Sequence, residues 1–530
     1  MTAAEPSPLR RLADHRWASP GVLVGLVVVG AMVRIAMARQ ELFADELATY
    51  WIVSTRGLTG VVETVSTTAE ITPPLSFLLS WFSSRLGSSP ELVRLPALIA
   101  GIASIPLVYA VGARTIGRGA ALLAAAVTTL SPFMIFYSAE ARGYAVLMAL
   151  VLASTLSMLI AIERRGTGWW VLYGAAVCLA AYTHYTAVYV LAVQLAWALW
   201  TQPRSRTPLL VATGSAALLF APWLPSLKGD LDSPTAVILG ALSPVDGDSM
   251  RLALGQWSIG FPAANFGVPL PFDVSGSSLR DLPGAPALVL LAASACVGAV
   301  GAFTMRTRLR GWFADRGGRL TLVLLLAVAS PVGAAVQSAV GTNVFRTRTF
   351  AASWPYLALA AAALVTIGRP ALRVTAAALA VTAFAVATIT MLGNDFHRPG
   401  YRTAARLGDA QPGGVIVNGA AYTPGPLTDL DVEGAIPDSP VFRVNVPEQM
   451  ETPFTLTERR PDPADVAERA VAAADGGPIT VVSFIPELPV VTELVNHLPA
   501  DYELTATTTI PGILDLEVRV YEREGPTVGS

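Results

Sequence analysis

The chain has 530 residues, 53% of them hydrophobic and only 14% charged, with a mean hydropathy of +0.54 and a net charge of −2. A soluble domain carries about a quarter charged residues, so the composition excludes an ordinary soluble protein and points to many membrane spans. No basic tract interleaved with aromatics is present, which leaves no ground for a nucleic-acid partner. Cys178 and Cys296 both lie inside apolar runs and read as small packing residues, with no disulfide framework and no thiolate metal site. Lys228 is the sole lysine, which suggests a GC-rich, bacterial genome and says nothing about mechanism.

In chain order, eleven apolar segments fall at about 19–38, 92–112, 119–137, 143–162, 169–183, 185–200, 208–227, 284–305, 320–340, 350–367 and 371–392. Most are near the roughly 20 residues that a spanning helix needs; the fifth and sixth are short and nearly fused, with Tyr182-Thr-His184-Tyr185 as the turn between them. Ala36-Met-Ala38 has the form of a signal-peptide cleavage site, but Arg34 inside the apolar run argues for an uncleaved first helix. With the N-terminus in the cytoplasm, 16 arginines fall in short inner linkers, among them Arg10, Arg11, Arg16, Arg114, Arg118, Arg164 and Arg165, as the positive-inside rule requires. An odd number of spans then exports the C-terminal tail. Residues 393–530 hold 21 acids and 9 arginines, a net −12, against 17 acids and 27 bases (+10) in residues 1–392. The chain thus reads as a basic membrane body, 1–392, and an acidic soluble domain, 393–530.

Two outer loops are long. In the first, 39–91, Leu75–Leu86 is an apolar amphipathic stretch too short to span; it reads as an interfacial helix started by Pro73-Pro74. The second, 228–283, is rich in Pro, Gly and Ser. In the tail, Gly414–Asn418 and Ile479–Phe484 read as buried strands, and Leu516–Tyr521 as a half-exposed one. Pro463–Ala474, capped by Asp462, and Pro489–Leu498 read as helices. The fold class is therefore mainly α: a polytopic transmembrane helical bundle of about 11 spans with a small C-terminal extracytoplasmic α/β domain. No GxGxxG after a strand and no P-loop occurs, so no nucleotide site is visible.

The chemistry concentrates in the outer loops. Asp45 and Glu46, adjacent where the chain leaves the first apolar segment, are costly to place near lipid. They read as an acid/base site, with a carboxylate able to take the proton of an attacking hydroxyl. The plainer reading is a mark of the membrane surface, which suits one carboxylate better than two. Glu70, in the same loop, reads as a second acid, a metal ligand, an acceptor-binding group or simply a solvated acid. The turn Ser131–Tyr144 carries Glu140, Arg142 and Tyr144. Either Glu140 and Arg142 pair with each other, or Arg142 grips a phosphate through its planar fork while Glu140 orients a sugar hydroxyl or a metal. His184, at the outer end of its helix between Tyr182 and Tyr185, is a packing residue or a substrate or metal contact. Arg346 and Arg348 break the positive-inside trend; a lipid-linked phosphate and chance solvation by headgroups account for them equally well.

Phe43-Ala-Asp45-Glu46, Glu70-Ile-Thr-Pro73-Pro74-Leu75, Val93-Arg94-Leu95-Pro96, Ser131-Pro132, Tyr137-Ser-Ala-Glu140-Ala-Arg142-Gly-Tyr144 and Tyr182-Thr-His184-Tyr185, in this order, resemble the GT-C glycosyltransferases. The nearest branch is family 39, the protein-mannosyltransferase-like and aminoarabinose-transferase-like group. The resemblance covers residues 20–200 and fades through 208–392. It implies a multi-span enzyme that transfers a sugar, with inversion, from a polyprenyl-phosphate donor to a glycan, lipid or protein acceptor at the extracytoplasmic membrane face. Asp45 is then the general base and arginines steady the departing phosphate. Members with and without a divalent cation exist. This chain has Glu70-Ile-Thr-Pro-Pro where an Asp-X-His-Pro-Pro pattern is frequent, so no cofactor is assigned and a divalent cation stays open. The competing classes are a transporter or flippase of lipid-linked sugars, which paired broken-helix halves would favour, and a non-catalytic envelope scaffold.

Overall fold

The computed structural model describes residues 18–67, 70–231, 247–264, 283–341, 343–421, 427–445, 461–485 and 487–523, without the side chains of 18–19 and 306–317. Among the described residues, seven helices are long and apolar enough to cross a membrane: Pro20–Ala38, Pro90–Thr115, Tyr144–Arg164, Pro203–Leu231, Ala285–Thr304, Gly318–Val340 and Pro370–Met391. The pair Arg118–Leu130 and Pro132–Ser138, bent by 58°, raises the number to eight if it counts as one span. The chain is a multi-pass integral membrane protein.

This corrects the expected count of about eleven. Three of the apolar segments form shorter helices: Thr167–Thr183 with 17 residues, Ala187–Thr201 with 15, and Trp354–Val365 with 12 behind the 3-10 turn Thr347–Ser353. Thr167–Thr183 stands at the lower end of the roughly 17–25 residues that a spanning helix has, and the other two α-helices fall below it. Of the long loop 228–283, the described part contains the helix Gly247–Ser258; the remainder lies outside the described residues, as do Arg10, Arg11, Arg16 and the side chains of Arg306, Arg308, Arg310 and Arg316.

The bend at Ser131-Pro132 has a local cause. Pro132 has no N–H to offer the carbonyl of Thr128 four residues back. Arg34, fully buried in the first span, supplies the missing donor: Nη2 bonds the Thr128 carbonyl at 2.8 Å, Nη1 those of Thr129 and Gly30 at 3.1 Å, and Nε the Ser138 hydroxyl at 3.1 Å. A charged side chain in the first apolar run thus satisfies the backbone of a broken one.

Between the first span and Pro90, three short helices, Asp45–Thr55, Leu58–Val65 and Leu75–Ser83, fold over one another. The expected interfacial helix is the third; it starts after Pro74, buries Phe77 and leaves Phe82 exposed. Leu42, Leu47, Ile52, Val53, Val61, Val65 and Phe77 share one apolar core, and Val432 from the C-terminal part enters it. In return, Phe43 packs against the core of the C-terminal sheet.

That sheet is mixed and five-stranded: β1 (Val415–Asn418), β2 (Val441–Arg443), β3 (Ile479–Phe484), β4 (Tyr502–Ile510) and β5 (Leu516–Arg523), in the order β2-β1-β3-β5-β4. β1 is parallel to β2 and β3, while β5 is antiparallel to β3 and β4. The helix Pro463–Ala474 has the expected bounds, and the Asp462 carboxylate accepts from the Ala464 N–H at 3.0 Å as its cap. β2, β4 and the helix Tyr401–Asp409 are additions to the sequence reading.

Candidate active site

The approach to Asp45 is unusual. Ala44 precedes the helix Asp45–Thr55 at φ 53° and ψ −128°, a conformation that side chains avoid and that costs about 1–3 kcal/mol. The turn delivers two adjacent carboxylates to the first helical turn, where the backbone N–H groups favour negative charge. The two then part.

Asp45 lines a cavity of about 900 Å³. Its Oδ2 accepts a hydrogen bond from Nη1 of Arg348 at 2.7 Å, and about a quarter of the side chain stays exposed (28%). Burial pushes the Asp45 carboxyl up, but Arg348, Arg142 and Arg346 together hold it below the ordinary carboxylate range. Glu46 does not line the cavity. It is 1% exposed and fully engaged: Oε1 accepts from Arg94 Nε at 2.7 Å and the Ala141 N–H at 2.8 Å, while Oε2 accepts from Arg94 Nη2 at 2.8 Å, the Phe43 N–H at 3.3 Å and Arg398. The expected acidic pair is therefore one cavity acid and one internal anchor.

Seven of the nine residues singled out in the sequence line this cavity: Asp45, Glu70, Arg142, Tyr144, His184, Arg346 and Arg348. Glu70 is held in a two-point ion pair by Arg142, at 2.9 and 3.0 Å, and accepts a further bond from the Thr72 hydroxyl at 3.0 Å. Arg142 thus pairs with Glu70 and not with Glu140. Glu140 is off the cavity lining, with Oε2 shielded and without a hydrogen-bond partner among the described residues. Burial first, then Asp45, pushes its carboxyl up to about 7 against the pull of Arg142 and Arg348. Tyr144 stands between Tyr137 and His184, with ring centroids at 4.9 and 5.4 Å. His184 shares a hydrogen bond of 2.9 Å between Nδ1 and the Thr186 hydroxyl; burial, with Arg142 and Arg348, lowers its imidazole to about 3, so the ring is neutral. Arg346 lines the cavity, with Nε and Nη2 shielded and without a partner among the described residues.

The far wall is apolar: Val177 and Ala181 from Thr167–Thr183, Leu191 and Leu195 from Ala187–Thr201, and Ala217 and Phe220 from the next helix. An apolar slot ending in arginines accommodates an amphiphile with an anionic head. It does not fit a divalent cation. Both Asp45 and Glu70 are already neutralised by arginine, and no group of three or more His, Cys, Asp and Glu side chains that could hold a metal occurs among the described residues.

Several members of the site were given no role in the sequence reading. Arg94, quoted there only within a motif, and Arg398, not quoted at all, hold Glu46. Asp230 lines the cavity, accepts from the Tyr185 hydroxyl, and leaves Oδ1 without a partner among the described residues; Tyr185 in turn accepts from Trp223 Nε1 at 3.0 Å. The only hint for Asp230 was its place at the end of an apolar run. Arg398 stands out as the first base after the last span.

Residues 72–225 match the family model of dolichyl-phosphate-mannose-protein mannosyltransferases. The match covers less than a third of the chain and falls largely within the region whose motifs resemble the GT-C glycosyltransferases. The matched segment contains Glu140, Arg142, Tyr144 and His184, and excludes Asp45, Glu70, Arg346 and Arg348. No curated protein matches the chain. Similar solved structures include ArnT from Cupriavidus metallidurans in the apo state, 15% identical over 95% of this chain and 98% of that one, with a TM-score of 0.43. The same protein bound to undecaprenyl phosphate is 15% identical over 94% and 98%, at 0.45. The archaeal oligosaccharyltransferase AglB from Archaeoglobus fulgidus, in complex with an inhibitory peptide and a dolichol-phosphate, is 14% identical over 90% and 70%, at 0.46.

Proposed function

We propose that the chain transfers a glycosyl group from a polyprenyl-phosphate donor to a glycan, lipid or protein acceptor, with Asp45 as general base. The observation that carries this reading is the meeting, in one apolar-walled cavity, of a part-exposed carboxylate with Arg346, an arginine whose N–H groups are unspent. The isoprenoid lies along the wall that contains Val177, Leu191 and Phe220, and the phosphate accepts from Arg346 and Arg348. As Arg348 turns to the phosphate, Asp45 loses the neighbour that lowers its basicity. The acceptor hydroxyl then gives its proton to Asp45 and its oxygen forms a bond to the anomeric carbon. The bond from that carbon to the phosphate oxygen breaks, the electron pair leaves with the polyprenyl phosphate, and displacement from the opposite face inverts the anomeric centre. Arg142, fixed by Glu70, adds positive charge beside Asp45; Tyr144 and neutral His184 form the wall where the sugar rests.

In this reading residues 1–392 are the transmembrane glycosyltransferase domain and 393–530 a soluble extracytoplasmic α/β domain, with the N-terminus cytoplasmic in a bacterial inner membrane. The site and the C-terminal sheet lie on one side of the bundle, since Arg398 reaches Glu46 and Val432 enters the core under Asp45–Thr55.

Membranes that contain the chain are expected to incorporate label from a radiolabelled polyprenyl-phosphate sugar, and membranes without it are not. A cysteine at position 45 is expected to react with an impermeant thiol reagent added from outside. Reaction only from the cytosolic side would overturn the reading, because the extracytoplasmic donor never meets the base. Arg346→Ala is expected to raise the donor KM about tenfold or more, the loss of a charge-assisted pair of bonds, with kcat and protein level little changed; an unmoved donor titration counts against phosphate binding there.

A further inference from the structure

The base of the proposed reaction stands one residue from a clamp that reaches the other end of the sequence. Besides the nearby Phe43 N–H, Glu46 takes donors from three distant places: Arg94 at the end of the 3-10 turn Pro90–Arg94, the Ala141 N–H in the turn before Tyr144–Arg164, and Arg398 between the last span and the helix Tyr401–Asp409. The two arginines also gather the chain that leads into Asp45. Arg94 donates to the carbonyls of Ala38 (2.9 Å), Gln40 and Glu41 (2.7 Å), and Arg398 to those of Glu41 (3.3 Å) and Ala139 (3.2 Å). The Arg398 N–H bonds Gln40 Oε1 and the Arg402 N–H bonds Glu41 Oε2, both at 3.0 Å. Gln40, Glu41 and Glu46 therefore all find partners within residues 398–402, and Glu46, Arg94 and Arg398 are each more than nine-tenths buried.

This network explains how Ala44 keeps its unfavourable backbone conformation: the residues on both sides are over-determined. It also has a geometric consequence. Successive helical residues are about 100° apart around the axis, so fixing Glu46 fixes the direction in which Asp45 leaves the helix. We infer that Arg398 is a positioning residue for sugar transfer, closing the clamp on Glu46 and thereby aiming Asp45 at the cavity. The segment that leads into the C-terminal domain is on this account a working part of the transferase. The inference rests on the reaction proposed above.

The test uses the full chain in membranes with a radiolabelled polyprenyl-phosphate sugar, comparing wild type, Arg398→Lys and Arg398→Gln. Lys keeps the charge and loses the fork; Gln loses both. Asp45 is faced by Arg348, Arg142 and Arg346 and by Glu140, Tyr137 and Tyr144. If it swings away from the arginines, its carboxyl rises. Both variants are expected to lose about tenfold or more in kcat per accumulated protein, with donor KM within about twofold, and to move the acid limb of the kcat profile to higher pH. A merely structural role lowers the amount of active protein and leaves that limb in place. An unmoved limb with kcat per accumulated protein at the wild-type value overturns the inference. If Arg398→Gln does not accumulate, Arg398→Lys decides by the same two readings. Absence of transfer by the wild type counts against the proposed reaction, not against the clamp.

Discussion

Asp45→Asn is expected to lower sugar transfer about 100-fold or more, the usual contribution of a positioned general base, while the protein still accumulates. The substitution keeps the shape of the side chain and an oxygen for Arg348, so little of the fold depends on the charge. It removes the site that takes the acceptor's proton. The loss belongs in kcat, because Arg348, which now donates to Asp45, remains free to hold the donor phosphate. Initial rates against donor concentration separate the two parameters. Transfer by Asp45→Asn equal to wild type, at equal protein level, removes Asp45 from the reaction.

The second large effect is structural. Glu46→Ala strips the shared partner from Arg94 and Arg398, which are 1% and 6% exposed. Removing one member of a buried ion pair costs about 3–5 kcal/mol, because the remaining charge is left uncompensated; here two cations are orphaned at once. The expected result is a protein that accumulates poorly in membranes or melts many degrees lower in detergent. Glu46→Gln, which still accepts hydrogen bonds, is expected to fall between Glu46→Ala and wild type. Normal accumulation and melting of Glu46→Ala would mean that the clamp contributes little. The two substitutions are thus expected to separate the neighbours: Asp45→Asn affects turnover, and Glu46→Ala the fold that presents Asp45.

Much of the site was legible in the sequence because membrane proteins penalise charge. Asp45, Glu70, Arg142, Arg346 and Arg348 stand out in a chain with few charged residues, and all of them reach the cavity. The separation of Asp45 from Glu46 was not legible, because adjacency in sequence says nothing of the turn at Ala44. The partners that engage Glu46 lie 48, 95 and 352 residues away, and no local pattern connects them. In the sheet, β3 and the helix Pro463–Ala474 were readable from buried β-branched runs and a capping aspartate. β4 was not, since it is a mostly exposed edge strand whose threonines give no apolar alternation. The difference between the eleven expected segments and the seven or eight candidate spans lies in three apolar segments whose α-helices have fewer than 18 residues.

Arg34 bears on how the molecule is built. As the chain emerges, the first span carries a cation whose acceptors, the carbonyls of Thr128 and Thr129 and the Ser138 hydroxyl, do not exist until about a hundred residues later. Until the bent pair is synthesised, that helix has a buried charge with only its own Gly30 carbonyl to satisfy it. The hydrogen bonding of the leading helix is therefore complete only with the later, Pro132-broken segment in place.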